Sequence, residues 1–161
     1  MPYPASLIAY AFVKKGIESG SPVTQMKLQK LVYFAHGLHL AADDGPLINE
    51  IFQAWKFGPV IPSIYHDYKF YGSSPISDPD LYFVFGEASS ADMKLSMLST
   101  TAEKSINATW DGLKDASAVQ LSNWTHKDGG PWKRYYQPCV NDVAIPNEDI
   151  KEYFKENFVK K

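Results

Sequence analysis

The segment KLQKLVYFAHGLHLA, Lys27 to Ala41, decides the fold class. Leu28, Leu31, Val32, Ala35 and Leu38, continued by Ala42, recur at intervals of three and four, which aligns them along one side of an α-helix. Thr24 stands where an N-cap is needed, because its hydroxyl can accept an amide N–H of the first turn. Asp43-Asp44-Gly45-Pro46 ends the helix. On this reading the leucine stripe faces a core, and Lys27, Gln29, Lys30 and Tyr33 fall off it.

Upstream, Pro4 followed by Leu7, Ile8, Ala11 and Phe12 reads as a helix to about Glu18, closed by Gly20 and turned by Ser21-Pro22. Downstream, Leu47 to Trp55 reads as a short strand and Gly58-Pro59 as a turn. Pro62 opens a third helix, Ser63 to Tyr71, which Gly72 ends. Tyr82-Phe83-Val84-Phe85, between Pro79 and Gly86, is rich in strand formers. Ser90 caps a long helix to about Lys114, with Met93, Met97, Leu98, Ala102 and Ile106 in register. Ser117 caps the next, with Val119, Leu121 and Trp124 inside, and Gly129-Gly130-Pro131 breaks it. Asn147 caps the last helix, Glu148 to about Phe158, where Glu148 and Asp149 complement the positive helix start. Its apolar side is Ile150, Tyr153, Phe154 and Phe158. The expected fold is mainly α: one compact domain over residues 1–161, about six helices and one or two short β-strands.

The composition agrees. A chain of 161 residues that is 45% apolar and 21% charged is ordinary globular usage, and it buries one sizeable core. No repeat, low-complexity tract or linker divides it. The net charge is −2 with acids and bases interleaved, and Arg134 is the only arginine, so binding of nucleic acid by this chain alone is not expected. The lone Cys139 forbids an internal disulfide and fits a reducing compartment. The N-terminal apolar stretch is short and lacks a basic lead, which reads as a first helix and not a signal peptide or membrane span. The expected address is the cytoplasm.

Chemistry-bearing clusters are sparse. His36 and His39 lie three apart, a spacing that suits a shared metal, but no HExxH or cysteine pair supplies further ligands. Cys139 with His126, and Asp128 or Asn141 to orient the ring, would make a nucleophile pair of the small-hydrolase kind, the alternative from another class. No family signature surrounds Cys139, and a lone cysteine is usually a small apolar residue. No GxxxxGK[ST] or GxGxxG loop occurs. No catalytic, cofactor or metal residue is expected, and a binding protein is.

The segment AWKFGPVIPSIYHDYKFYG, Ala54–Gly72, places Trp55, Phe57, Tyr65, Tyr68, Phe70 and Tyr71 around Gly58, Pro59 and Pro62. Trp55 is expected to roof the core. So short a helix cannot turn every ring inward, so some of Tyr65, Tyr68 and Tyr71 are expected outside, with Lys69 four residues after Tyr65. Tyrosine beside lysine suits an interface.

Three stretches resemble a known family: KLQKLVYFAHGLHLA at Lys27–Ala41, GPLINEIFQAWKFGPVIPSIYHDYKFYG at Gly45–Gly72, and LSNWTHKDGGPWK at Leu121–Lys133. They look like the Panacea domain of phage-associated and SocA-like antitoxins. The resemblance implies a mainly helical domain that neutralises a cognate toxin protein. In some relatives this is by direct binding, in others by acting as a proteolytic adaptor to the ClpXP protease. No catalytic residues carry over. Lys27, Gln29, Lys30, Trp55, Gly58, Pro59, Pro62, Tyr65, Thr125, His126, Pro131 and Trp132 match its motifs. Together with Tyr33 off the leucine stripe and Tyr68 and Lys69 of the aromatic segment, the expected partner-contact set is Lys27, Gln29, Lys30, Tyr33, Tyr65, Tyr68, Lys69, His126 and Trp132. The implied partners are the toxin and, for an adaptor, ClpXP; no membrane or cofactor is implied.

Overall fold

The computed structural model describes residues 2–77, 88–140 and 142–158. Helix α1 (Ala5–Glu18) leads to α2 (Gln25–Ala41), and a hairpin of β1 (Gln53–Trp55) and β2 (Gly58–Val60) follows. Next come α3 (Pro62–Tyr68), a 3₁₀ turn at Lys69–Tyr71, α4 (Ala88–Ser96), α5 (Thr100–Leu113), α6 (Ala118–Thr125), α7 (Pro131–Tyr135) and α8 (Asn147–Phe158). The mainly helical expectation holds. The strand expected at Tyr82–Phe85 lies outside the described residues.

The central element is α2. The Thr24 hydroxyl accepts the Lys27 N–H, so the cap forms as its sequence predicts. The helix packs against α1, α3, α5, α6, α8 and β2, which leaves it almost no solvent side. Leu28, Leu31, Val32 and Ala35 are fully buried, but so are residues off that stripe: Gln29, Lys30 and Tyr33. Their expected surface position is therefore corrected. A helix enclosed on every side buries its polar residues too, and each must then find a partner. His36 and His39 do so. The His36 Nδ1 faces the N–H groups of Leu47 and Ile48 at 3.3 and 3.4 Å, and its Nε2 lies 2.9 Å from Asn147 Oδ1. His39 Nδ1 lies 2.6 Å from the Gly45 carbonyl and Nε2 3.1 Å from Thr101 Oγ1. Both histidines tie α2 to its surroundings. Gly37 lets α8 approach closely, since a Cβ there would lie 2.4 Å from the Phe154 ring.

Three further expectations change. The long helix from Ser90 is two helices: Ser99 adopts extended backbone and its hydroxyl caps the Ala102 N–H, while its own N–H goes to the Tyr3 hydroxyl. A serine that bonds the backbone this way competes with helix continuation. Met93 and Met97 consequently stand exposed. The Ser117 cap forms with Gln120 in a reciprocal capping box, but only Leu121 of the expected trio is buried, while Val119 and Trp124 are exposed. Finally, Gly58-Pro59 is not the turn. Lys56 and Phe57 turn the chain, and Gly58 opens β2 opposite Trp55. The last helix starts one residue earlier than expected, with Asn147 its first residue instead of its cap: the Asn147 Oδ1 lies against His36, and the helix buries Ile150 and Phe154. No helix among the described residues is long and apolar enough to cross a membrane.

Candidate functional site: a groove over a clamped hairpin

The two sequence blocks at Lys27–Lys30 and Leu121–Trp132 meet at the β1–β2 hairpin. From α2, the Gln29 side-chain amide donates to the Ile61 carbonyl at 3.1 Å and accepts the Ile61 N–H at 2.9 Å. Lys30 Nζ donates to the Pro59 carbonyl at 3.0 Å. From the second block, the Ser122 hydroxyl donates to the Phe57 carbonyl at 2.7 Å, and the Trp132 indole N–H donates to the Trp55 carbonyl at 2.6 Å. Five side-chain hydrogen bonds thus hold the seven residues from Trp55 to Ile61. Gly58 is where the blocks press closest. Its φ is +125°, and a Cβ there would lie 2.6 Å from Lys30 Cε and 2.8 Å from Thr125 Oγ1. Only glycine takes that conformation in that space without strain.

Lys30 is 1% exposed, and among the described residues no carboxylate pairs with it. Burial pulls its pKa down to about 7, so near neutral pH the amine is divided between its charged and neutral forms. His126 lies flat on Trp132, ring centroids 3.7 Å apart and 13° from parallel, and Trp132 stacks in turn on Tyr136. Burial, and then the Lys30 cation, lower the His126 pKa. These residues form the floor of the site and fix its shape.

Above the clamp lies a groove of about 650 Å³, lined by residues of α2 and its cap, the hairpin, α3 and α6. That size is within the range of specific binding sites. Trp55, Phe57, Tyr65 and Val119 supply its apolar wall. Three of these are unusually open for large apolar residues: Phe57 at 56%, Tyr65 at 38% and Val119 at 63%. Trp55 and Tyr65 brace each other edge-on, with centroids 5.1 Å apart. Lys56 sits over the Phe57 ring at 5.5 Å. Among the described residues of the lining the charged side-chain types are lysines, Lys30 and Lys56, with no carboxylate.

The structure sorts the expected contact residues. Gln29, Lys30 and Tyr65 come together at the groove. Lys27, half-buried, donates to the Lys114 carbonyl at 2.6 Å. Tyr33 points the opposite way, packing on Phe52 and Phe154, with burial raising its pKa. Tyr68 is 1% exposed and belongs to the core. Lys69 is exposed in the 3₁₀ turn. Trp132 is buried beneath the hairpin and His126 half-buried on it. The surface positions expected of Gln29, Lys30, Tyr33, Tyr68 and Trp132 are therefore corrected: all five are buried, and of these only Gln29 and Lys30 line the groove. Trp55 lines the groove instead of roofing the core. Among the groove residues, Phe57 belongs to the aromatic segment but not to the expected contact set, Val119 is expected inside its helix, and Lys56 has no expected role. For Val119 a signal existed, since it lies two residues from Leu121 and so off the buried side of α6.

The other clusters do not assemble. Cys139 is exposed, at φ 65° in the turn closed by Gln137 and Val140, and no hydrogen bond joins it to His126. Among the described residues no three His, Cys, Asp or Glu side chains converge as metal ligands.

Residues 28–133 match the family model described as antitoxin SocA-like, Panacea domain. That span opens beside Gln29 and closes beside Trp132, enclosing both clamps and the hairpin. The chain is 30% identical over 135 residues to antitoxin SocA of Caulobacter vibrioides (strain NA1000 / CB15N), covering 80% of this chain and 68% of that protein. No solved structure matches.

Proposed function

This chain belongs to the SocA-like antitoxin family, Panacea domain, and from that membership we propose that it neutralises a cognate toxin protein by binding it in the groove over the hairpin. The observation that carries this reading is the convergence of both family blocks on one hairpin whose free face is apolar and open. Monomeric proteins seldom leave such a patch uncovered without a use. Rigid aromatic side chains at its centre are the residue types that dominate interface energy. The clamp below explains why the blocks carry lysine, glutamine and histidine although most of those side chains are covered: they set the wall's geometry and Trp55, Phe57 and Tyr65 make the contact.

Co-expression of the toxin with variants of this chain tests the reading. Phe57→Ala and Tyr65→Ala are expected to weaken binding at least roughly tenfold, about 1.4 kcal/mol, with melting temperatures close to the parent. Phe158→Ala, an exposed ring on α8, is expected to neutralise as the parent does. Full rescue by both groove variants, with loss in Phe158→Ala, would place the interface on α8. Toxin levels followed in the same cells separate inhibition, in which they persist, from delivery to a protease, in which they fall.

A further inference from the structure

Resting on that reading, we propose that the groove receives one amphipathic α-helix of the toxin, seated by its apolar stripe on Trp55, Phe57, Tyr65 and Val119 with a carboxylate against Lys56.

Peptide segments are recognised in a few ways, and the hairpin closes one of them. An extended strand adds to a sheet only where an edge offers free N–H and C=O groups. On β2, Gly58 and Val60 pair inward with β1. Of the outward residues, Pro59 has no N–H and its carbonyl is held by Lys30, and Ile61 has both groups held by Gln29. On β1, the Ala54 N–H goes to Val143 and the Phe52 carbonyl to Ile145. Both edges are spoken for, so recognition must run through side chains. Proline-rich segments seat their rings in aromatic-lined grooves. Here Trp55 and Tyr65 meet edge to face, which closes the gap between them. A helix presenting apolar residues at intervals of three and four needs neither a free edge nor an aromatic slot. Its charge follows from the lining, where Lys56 meets no carboxylate among the described residues.

Selection on the full-length chain of phage-displayed random peptides, each about 18 residues and so about 27 Å long as a helix, tests this. Enriched peptides are expected to carry apolar residues three and four apart together with Asp or Glu, and to lose binding when a proline is placed at their centre. Val119→Asp, in the first turn of α6 where an acidic residue is well tolerated, is expected to weaken their binding at least about tenfold, while Phe158→Asp leaves it unchanged. Lys56→Glu is expected to shift selection toward peptides bearing Lys or Arg. Proline-rich or strictly alternating winners, no enrichment, or indifference to Val119→Asp overturns the helix. Co-expression of the toxin with Val119→Asp then separates the two claims. If this folded variant fails to neutralise although the winners are not helical, the groove stands and the helix falls. If it neutralises fully, the groove itself falls.

Discussion

Lys30 is a cation by sequence and a buried amine by position, and the difference is measurable. Its folded pKa of about 7 lies below the ordinary 10.5, so between these values the unfolded chain holds a proton that the folded chain has released. Stability must therefore rise from pH 7 toward pH 9 and fall as pH drops through 7, by up to about 1.4 kcal/mol per pH unit from this group. Above that window Tyr33 and Tyr68, whose pKa values burial raises, act in the opposite direction. Urea titrations at pH 7 and pH 9 should show the rise in the parent and its absence in Lys30→Met; a rise that survives in the variant would mean the amine is hydrated. Lys30→Ala should lose roughly 2 kcal/mol or more, because it leaves a cavity and strips the Pro59 carbonyl of its donor. Gly58→Ala should cost a similar amount, since φ of +125° is strained for alanine and the new methyl meets Lys30 Cε. A melt of Gly58→Ala matching the parent would show that Lys30 swings aside freely.

At the scale of elements, the hairpin is three residues per strand, too short to persist alone. Its order comes from the two clamps. Gln29→Ala orphans the Ile61 N–H, whose acceptor is the amide, while the Ile61 carbonyl keeps the Ile64 and Tyr65 N–H donors, a loss of about 1–3 kcal/mol. Trp132→Phe keeps the ring stack and removes only the indole bond to Trp55, a loss of about 1 kcal/mol. Because both act on one hairpin, their effects should fail to add in a double-mutant cycle, and additive losses would show that the clamps work independently. Much of this level was legible in sequence: the Thr24 and Ser117 caps, the α1 and α8 boundaries and the Pro62 start all follow from local chemistry. The misplacements have a common cause. The spacing of Leu28, Leu31 and Val32 identifies a buried side of α2 but says nothing about whether the other side is covered. That is decided by elements far along the chain, as Gln29 bonding Ile61 and His36 bonding Asn147 illustrate. Ser99 was read as interior to a helix because its capping role depends on where the preceding helix stops.

Over the whole molecule, His36 joins α2, the Leu47–Ile48 segment and α8 at one point. Nδ1 accepts two backbone N–H groups, so the proton sits on Nε2 and is donated to Asn147. Burial lowers the pKa to about 4 from 6.5, and charging the ring would turn Nδ1 against its donors. The folded pKa is depressed, so stability is complete above about pH 6.5 and declines as pH falls toward 4. Chemical denaturation at pH 7 and pH 5 should show a smaller difference for His36→Gln than for the parent. Equal differences would assign the acid sensitivity to other groups. On the proposed function the fold presents one binding face, the groove over the clamped hairpin, and hydroxyl-radical footprinting of the chain alone and bound to its toxin examines that face directly. Oxidation of Met26, Trp55, Phe57 and Tyr65, which line the groove, is expected to drop in the complex, while the exposed Met93 and Met97 of the α4 region oxidise as before. Protection confined to Trp124 and Phe158, with the groove residues unchanged, would contradict the account.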